Sequence, residues 1–137
     1  MQRTLTILKP DSVAAGKTGV ILAHLEKEGF RLAGLKKTRL SAEQARAFYA
    51  VHRERPFYDA LVRFMTEGPV VVAVLERQDA VAHLRQTMGA TDSRKAEPGT
   101  VRALYGTDIE RNAIHGSDSA ENAATEVAFF FGEGELI

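Results

Sequence analysis

The reactive repertoire of this 137-residue chain is narrow: four histidines, no cysteine, and eighteen lysines and arginines. His24 and His83 fall inside amphipathic helical patterns and read as surface or half-buried side chains. His115 stands apart, in the run Asn112-Ala113-Ile114-His115-Gly116-Ser117-Asp118. It ends an apolar segment and directly precedes a helix start. Gly116 would let the backbone turn without crowding the imidazole. Ser117, Asp118 and Ser119 can cap the next helix, whose first amides favour anions. A histidine facing such a terminus tends to be neutral, which leaves one ring nitrogen free as a nucleophile. On these residues alone a capping loop that happens to include a histidine is an equal alternative.

The neighbouring cations tip that balance toward phosphate chemistry. Arg85, Thr91, Arg94, Lys95 and Arg102 surround a long segment with no apolar period, and the guanidinium fork suits phosphate oxygens. For Arg94 and Lys95 a solvated basic loop is the preferred reading. Gly16-Lys17-Thr18 mimics the end of a P-loop, but the motif needs a glycine five positions earlier, where Asp11 stands. Without cysteine there is no thiol chemistry, and no carboxylate or histidine cluster has metal-cage spacing. The expected set of metal-ligating residues is therefore empty, and a metal would arrive on the substrate, as Mg²⁺ does on nucleoside triphosphates.

These residues need a scaffold. Arg3 to Lys9 alternates around Leu5 and Ile7 as a first strand, stopped by Pro10. Residues 17–28 form a helix ended by Gly29, and Phe30 to Leu40 a second strand. Ser41 and Gln44 make a capping box for a helix bearing Ala45, Phe48 and Tyr49. Pro56 breaks that helix and opens another, with Leu61, Phe64 and Met65 on one face. After the Gly68-Pro69 turn, Val70 to Leu75 is an unbroken apolar run typical of a central strand. Asp79 can cap a helix with Val81, Leu84 and Met88 inward, ended by Gly89. A last helix from Ser119 presents Ala123, Val127, Phe130 and Phe131. Between Gly89 and Ala113 lies a long aperiodic loop, of the kind that tends to be a lid or binding loop. With a short strand near His115, the order suggests a split βαβ α/β sandwich. A doubly wound parallel sheet competes with it, because strands and helices alternate in both.

The bulk numbers fit one domain over residues 1–137. Eighteen acidic residues balance the eighteen basic ones, which argues against a general nucleic-acid binder. No apolar signal core opens the chain and no run approaches the ~20 residues of a membrane span. A soluble, cytoplasmic protein without membrane partners is the expectation.

Over essentially its full length the chain resembles the nucleoside diphosphate kinase family. Six blocks carry the resemblance, in order: Arg3-Thr4-Leu5 through Lys9-Pro10-Asp11, Phe48-Tyr49 through Pro56-Phe57, Glu67-Gly68-Pro69-Val70-Val71, Met88-Gly89-Ala90-Thr91, Pro98-Gly99-Thr100-Val101-Arg102, and Arg111 through Ser119. The resemblance implies a ferredoxin-like, four-stranded antiparallel sheet covered by helices. It also implies γ-phosphate transfer by a ping-pong route, with broad base specificity and Mg²⁺ delivered with the nucleotide.

Residue by residue, it implies a phosphorylated Nδ1 on His115, oriented by Glu126, with Ser117 supporting Glu126. Lys9 and Asn112 would hold the ribose hydroxyls, with Lys9 and Tyr49 close to the transferred phosphate. Arg85, Thr91 and Arg102 would bind phosphates, His52 the α-phosphate, and Phe57, Leu61 and Ile109 the base. A homo-oligomer built from dimers is implied, a hexamer slightly favoured over a tetramer. The chain departs from the family pattern at Asp92-Ser93, where relatives often carry Asn-Pro, and at Leu104, where an acidic residue is common. A binding module that lost catalysis is the rival. It would have no need for a nucleophile together with its orienting carboxylate.

Overall fold

Within the strand Val70–Arg77, the run from Val70 to Leu75 is apolar on both sides because it is covered on both sides. In the computed structural model, which describes residues 1–137, this strand (β3) lies inside a four-stranded sheet of order β2-β3-β1-β4. Its neighbours are β1, Gln2–Leu8, and β2, Arg31–Thr38, and β4, Ile114–Gly116, pairs on the far side of β1. All pairings are antiparallel. β1 and β2 run parallel with β3 between them, as do β3 and β4 with β1 between them: two interleaved split βαβ units, the ferredoxin-like arrangement. The parallel alternative is excluded.

Alternation sorts the side chains into two cores. Val70, Val72 and Val74, with Leu5 and Ile7 of β1, face α3 (Ala42–Phe48), α4 (Tyr58–Met65) and the end of α7 (Ala120–Phe130). Val71, Ala73 and Leu75 face α2 (Thr18–Lys27), α5 (Ala80–Met88) and α6 (Val101–Tyr105).

Local chemistry sets the ends. α2 stops in a Schellman arrangement: Gly29, at φ +90°, donates to Glu26 O at 3.0 Å, and Phe30 donates to Leu25 O at 3.2 Å. Both halves of the Ser41–Gln44 capping box form, at 3.0 and 2.9 Å. Asp79 does not cap α5. It sits at φ +50° with no side-chain cap bond, and Gln2 Oε1 takes the Val81 amide instead, at 2.9 Å. Pro10 ends the strand but also starts one. It occupies the first turn of α1 (Pro10–Ala14), where its missing N–H costs nothing. The segment after α5 is not featureless either: it holds a 3₁₀ turn, Ser93–Lys95, and α6. No helix is long and apolar enough to cross a membrane.

Candidate active site

His115 lies on the edge strand β4. Ile114 and Gly116 on either side of it turn into the α2/α5 core, so alternation sends the imidazole toward α3 and α7. Gly116 is required for packing rather than for turning. A Cβ there would stand 2.8 Å from the Met88 side chain and 2.9 Å from Leu84, so glycine lets α5 close against the strand.

Glu126, on the second turn of α7, meets His115 Nε2 at 2.9 Å through Oε1. The same oxygen accepts from Ser117 Oγ at 2.8 Å, and Ser117 Oγ in turn accepts the Leu5 amide at 3.3 Å. The relay runs from the backbone of β1 to the ring, so the sheet itself sets the imidazole's orientation. In the neutral ring an Nε2–H donating to Glu126 leaves Nδ1 with the lone pair. Phe48 and Tyr49 brace the ring edge-on, with centroids 5.5 and 6.3 Å away. Glu126 Oε1, rather than the start of α7, is the group that faces Nε2. That start is occupied by Ser119, which caps Asn122 N at 3.0 Å.

His115 opens into a cavity of about 580 Å³. Lys9, Tyr49, His52, Phe57, Leu61, Arg85, Thr91, Arg102, Ile109, Asn112 and Glu126 all line it with His115. Ser117 is fully buried behind Glu126. Arg94 and Lys95 do not line it, and Arg94 pairs with Asp92 through both carboxylate oxygens at 3.0 Å. Asp92 also caps the 3₁₀ turn, its Oδ1 accepting the Arg94 amide at 3.1 Å. Lys17 and Thr18 are elsewhere too, at the start of α2.

The floor of the cavity is cationic and buried. Arg102 is 6% exposed and donates to Gly89 O at 3.0 Å and Ile114 O at 2.8 Å, while its Nε is buried without a partner. Burial, and then the charge of Arg85, bring Arg102 down to about 10. Burial, and then Arg102, bring Lys9 down to about 8, against the opposing pull of Asp11 and Glu110. Burial, with Glu126 second, pushes the Tyr49 phenol well above its ordinary range, so it stays a neutral donor, and its hydroxyl too has no partner. Lys9 Nζ donates to Asn112 Oδ1 at 2.8 Å. Asn112 Nδ2 bonds the carbonyls of Thr91 and Ile109, at 2.9 and 3.2 Å. Phe57 and Ile109 stand at the rim, 48% and 61% exposed.

Phe48, Val51, Glu110, Asp118, Asn122 and Thr125 also line the cavity and were not anticipated. A signal existed for three of them. Asp118, Asn122, Thr125 and Glu126 repeat at helical spacing, so the arithmetic that finds apolar faces also finds this polar stripe.

Comparison with known proteins decides the family. The family model described as nucleoside diphosphate kinase matches residues 2–136. The chain belongs to the nucleoside diphosphate kinase family. The nucleoside diphosphate kinase of Acidiphilium cryptum is 56% identical over 136 residues, covering 99% of this chain and 97% of that protein. That of Nitratiruptor sp. is 54% identical over the full length of both. Among solved structures, the nucleoside diphosphate kinase of Aquifex aeolicus superposes with a TM-score of 0.97 at 49% identity, covering 99% of each chain. A halophilic nucleoside diphosphate kinase from Halobacterium salinarum, solved in complex with CDP, gives 0.95 at 44% identity over 99% of this chain and 91% of that one. The chain is an enzyme of this family, transferring phosphate between nucleotides.

Proposed function

We propose that His115 Nδ1 is the nucleophile of this transfer and that the groups around it divide the nucleotide among them. The observation that carries the reading is the Nε2–Glu126 bond, which leaves Nδ1 as the nitrogen available to a cavity floored by Arg102 and Lys9. In the first half-reaction the Nδ1 lone pair attacks the γ-phosphorus of a nucleoside triphosphate. The bond from γ-phosphorus to the bridging oxygen breaks, and the diphosphate leaves with that electron pair. In the second, a terminal oxygen of another nucleoside diphosphate attacks the phosphohistidine and Nδ1 is released. The two halves use one site, which gives ping-pong kinetics.

Positioning and charge stabilisation do most of the work in phosphoryl transfer. Arg85, Thr91 and Arg102 are the phosphate ligands in this reading, with His52 at the α-phosphate. Tyr49 and Lys9 serve the transferred group. The Tyr49 hydroxyl and Arg102 Nε are buried donors without a protein partner, beneath the cavity surface. The charge of Arg85 disfavours the charged form of Arg102, and Arg102 that of Lys9, so an anion among them is favoured beyond simple pairing. Lys9 and Asn112 hold the ribose. Phe57, Leu61 and Ile109 offer the base apolar faces, which every base can stack on.

The chain has no cluster of three histidine, aspartate or glutamate side chains that could cage a metal. Mg²⁺ therefore enters this reading with the nucleotide phosphates, whose charge it shares with the arginines. Assembly belongs to the proposal as well: a homo-oligomer built from dimers, with a hexamer slightly favoured. β2 is an edge strand carrying Leu35 at 50% exposure, and the loop helix α6 carries Leu104 at 53%.

Brief incubation with γ-labelled ATP tests the mechanism. A phosphoenzyme that is acid-labile, alkali-stable and mapped to His115 is expected. A chase with a different nucleoside diphosphate should discharge it into the matching triphosphate. Label on His52 or Ser117 instead would overturn the assignment.

A further inference from the structure

Ala113 carries the one strained backbone position beside the nucleophile. It is fully buried and sits at φ +74°, where a side chain with a Cβ is disfavoured. The amide of Ile114 closes back onto Asn112 O at 2.9 Å, so Ala113 is the middle of a three-residue turn. Asn112 precedes it, and His115 is two residues on. Such a conformation persists only where its surroundings over-determine it.

The surroundings here are the residues just after β1. Asp11 Oδ2 accepts the Ala113 amide at 3.1 Å. The carbonyl of Ala113 is taken twice: by the Lys9 amide at 2.9 Å and by Ser12 Oγ at 2.9 Å. Both polar groups of the strained residue are therefore held by Lys9, Asp11 and Ser12. Asp11 itself does not line the cavity.

We propose that Asp11 is a positioning residue for phosphoryl transfer, clamping the left-handed turn at Ala113 so that Asn112 and His115 leave it in their working directions. The inference rests on the reading of His115 as the nucleophile. The carboxylate supplies what no other group at the turn supplies, an acceptor for the Ala113 amide. Without it the buried amide lacks a partner, and the residue is drawn toward the negative-φ region that alanine prefers.

The test is single-turnover phosphorylation by labelled ATP with Mg²⁺, alongside equilibrium binding of ADP. Asp11→Ala is expected to slow labelling by about tenfold or more, as loss of an orienting partner does elsewhere, with a smaller change in ADP affinity. Asp11→Asn keeps an acceptor oxygen and should lose less. Ala113→Gly in the Asp11→Ala background is the deciding variant. Glycine takes φ +74° without a clamp, so a substantial part of the lost rate should return. A general loosening of the fold would not be relieved by glycine, which adds freedom to the unfolded chain.

Wild-type labelling rates in Asp11→Ala, or a loss that Ala113→Gly leaves untouched, would overturn the inference. Should Asp11→Ala not fold, Asp11→Asn with and without Ala113→Gly makes the same comparison, and no gain on glycine overturns it equally. If wild-type protein takes no label on His115, it is the nucleophile assignment that has failed.

Discussion

The two halves of the candidate site are held by different physics. His115, Ser117 and Glu126 belong to the sheet and α7, whose backbone is paired and whose apolar faces are buried independently of them. Arg102 and Asn112 belong to the segment from Gly89 to Ala113, and there the functional side chains are themselves the fasteners. Arg102 ties Gly89 to Ile114, and Asn112 ties Thr91 to Ile109. A frame can lose a functional group and keep its shape. A loop sewn together by its functional groups loses shape and chemistry at once.

Substitutions ordered by expected effect can break that contrast. His115→Ala should abolish phosphoenzyme formation while the melting temperature stays within a degree or two of wild type, about what a surface-type change does. A collapse in stability would show that the frame depends on His115 after all. Arg102→Ala should cost turnover by roughly 10²–10³-fold, the range for a lost charge-stabilising donor. It should also lower stability, because the buried Ile114 carbonyl loses its donor at about 1–3 kcal/mol and the part-buried Gly89 carbonyl loses one as well. Calorimetry showing unchanged stability would refute the double role. Glu126→Gln keeps His115 Nδ1, the proposed nucleophile, and should slow the enzyme by roughly 10–100-fold with little change in melting.

Asn112→Ala should fall between the two regions. It loses turnover for ribo- and deoxyribonucleotides alike, together with about 1–2 kcal/mol from the freed Thr91 and Ile109 carbonyls. A loss confined to ribonucleotides would move its contact to the 2′-hydroxyl.

The smallest expected effect is a pH limb. With Lys9 at about 8 in the free enzyme, kcat/KM should decline as pH rises through that value and the ammonium is lost. Stability should move the other way. An unfolded Lys9, near its usual 10.5, binds its proton more tightly than the folded one, so between about 8 and 10.5 the unfolded chain holds more protons and the fold gains stability with pH. Bound nucleotide should flatten that gain by favouring the charged lysine. Pyrimidine and purine diphosphates, meeting only the apolar slot, should differ by no more than about ten- to hundredfold in kcat/KM. Light scattering that finds a stable monomer would refute the proposed homo-oligomer.

The same contrast explains what could be read from the chain. The strands, the capping box at Ser41 and the glycine end of α2 announce themselves by period and cap chemistry, and they stand where expected. Twelve of the thirteen anticipated site residues line one cavity, and the thirteenth, Ser117, supports Glu126 from behind. α1 and α6 went unread for a simple reason. Each has five residues, barely more than one turn, too few for a 3.6 period to show. The Asp79 cap failed because its competitor, Gln2, is distant in sequence and arrives only through folding. Ala113 is invisible by residue type, since alanine gives no sign of a left-handed backbone.

Depth divides the cavity, with Tyr49 and Arg102 at 5% and 6% exposure below and Phe57 and Ile109 far more open above. A double-displacement catalyst must let one nucleotide go and admit another in every cycle, through a single mouth. In the proposed mechanism the part of the ligand that reacts is the part held at depth, and transfer removes a phosphoryl group from that hold alone. The departing diphosphate keeps its shallow grip on the aromatic rim but has lost anchorage below, so its residence time shortens as a direct result of reaction. In the return half-reaction the order reverses, and the triphosphate product gains that deep anchorage as it forms.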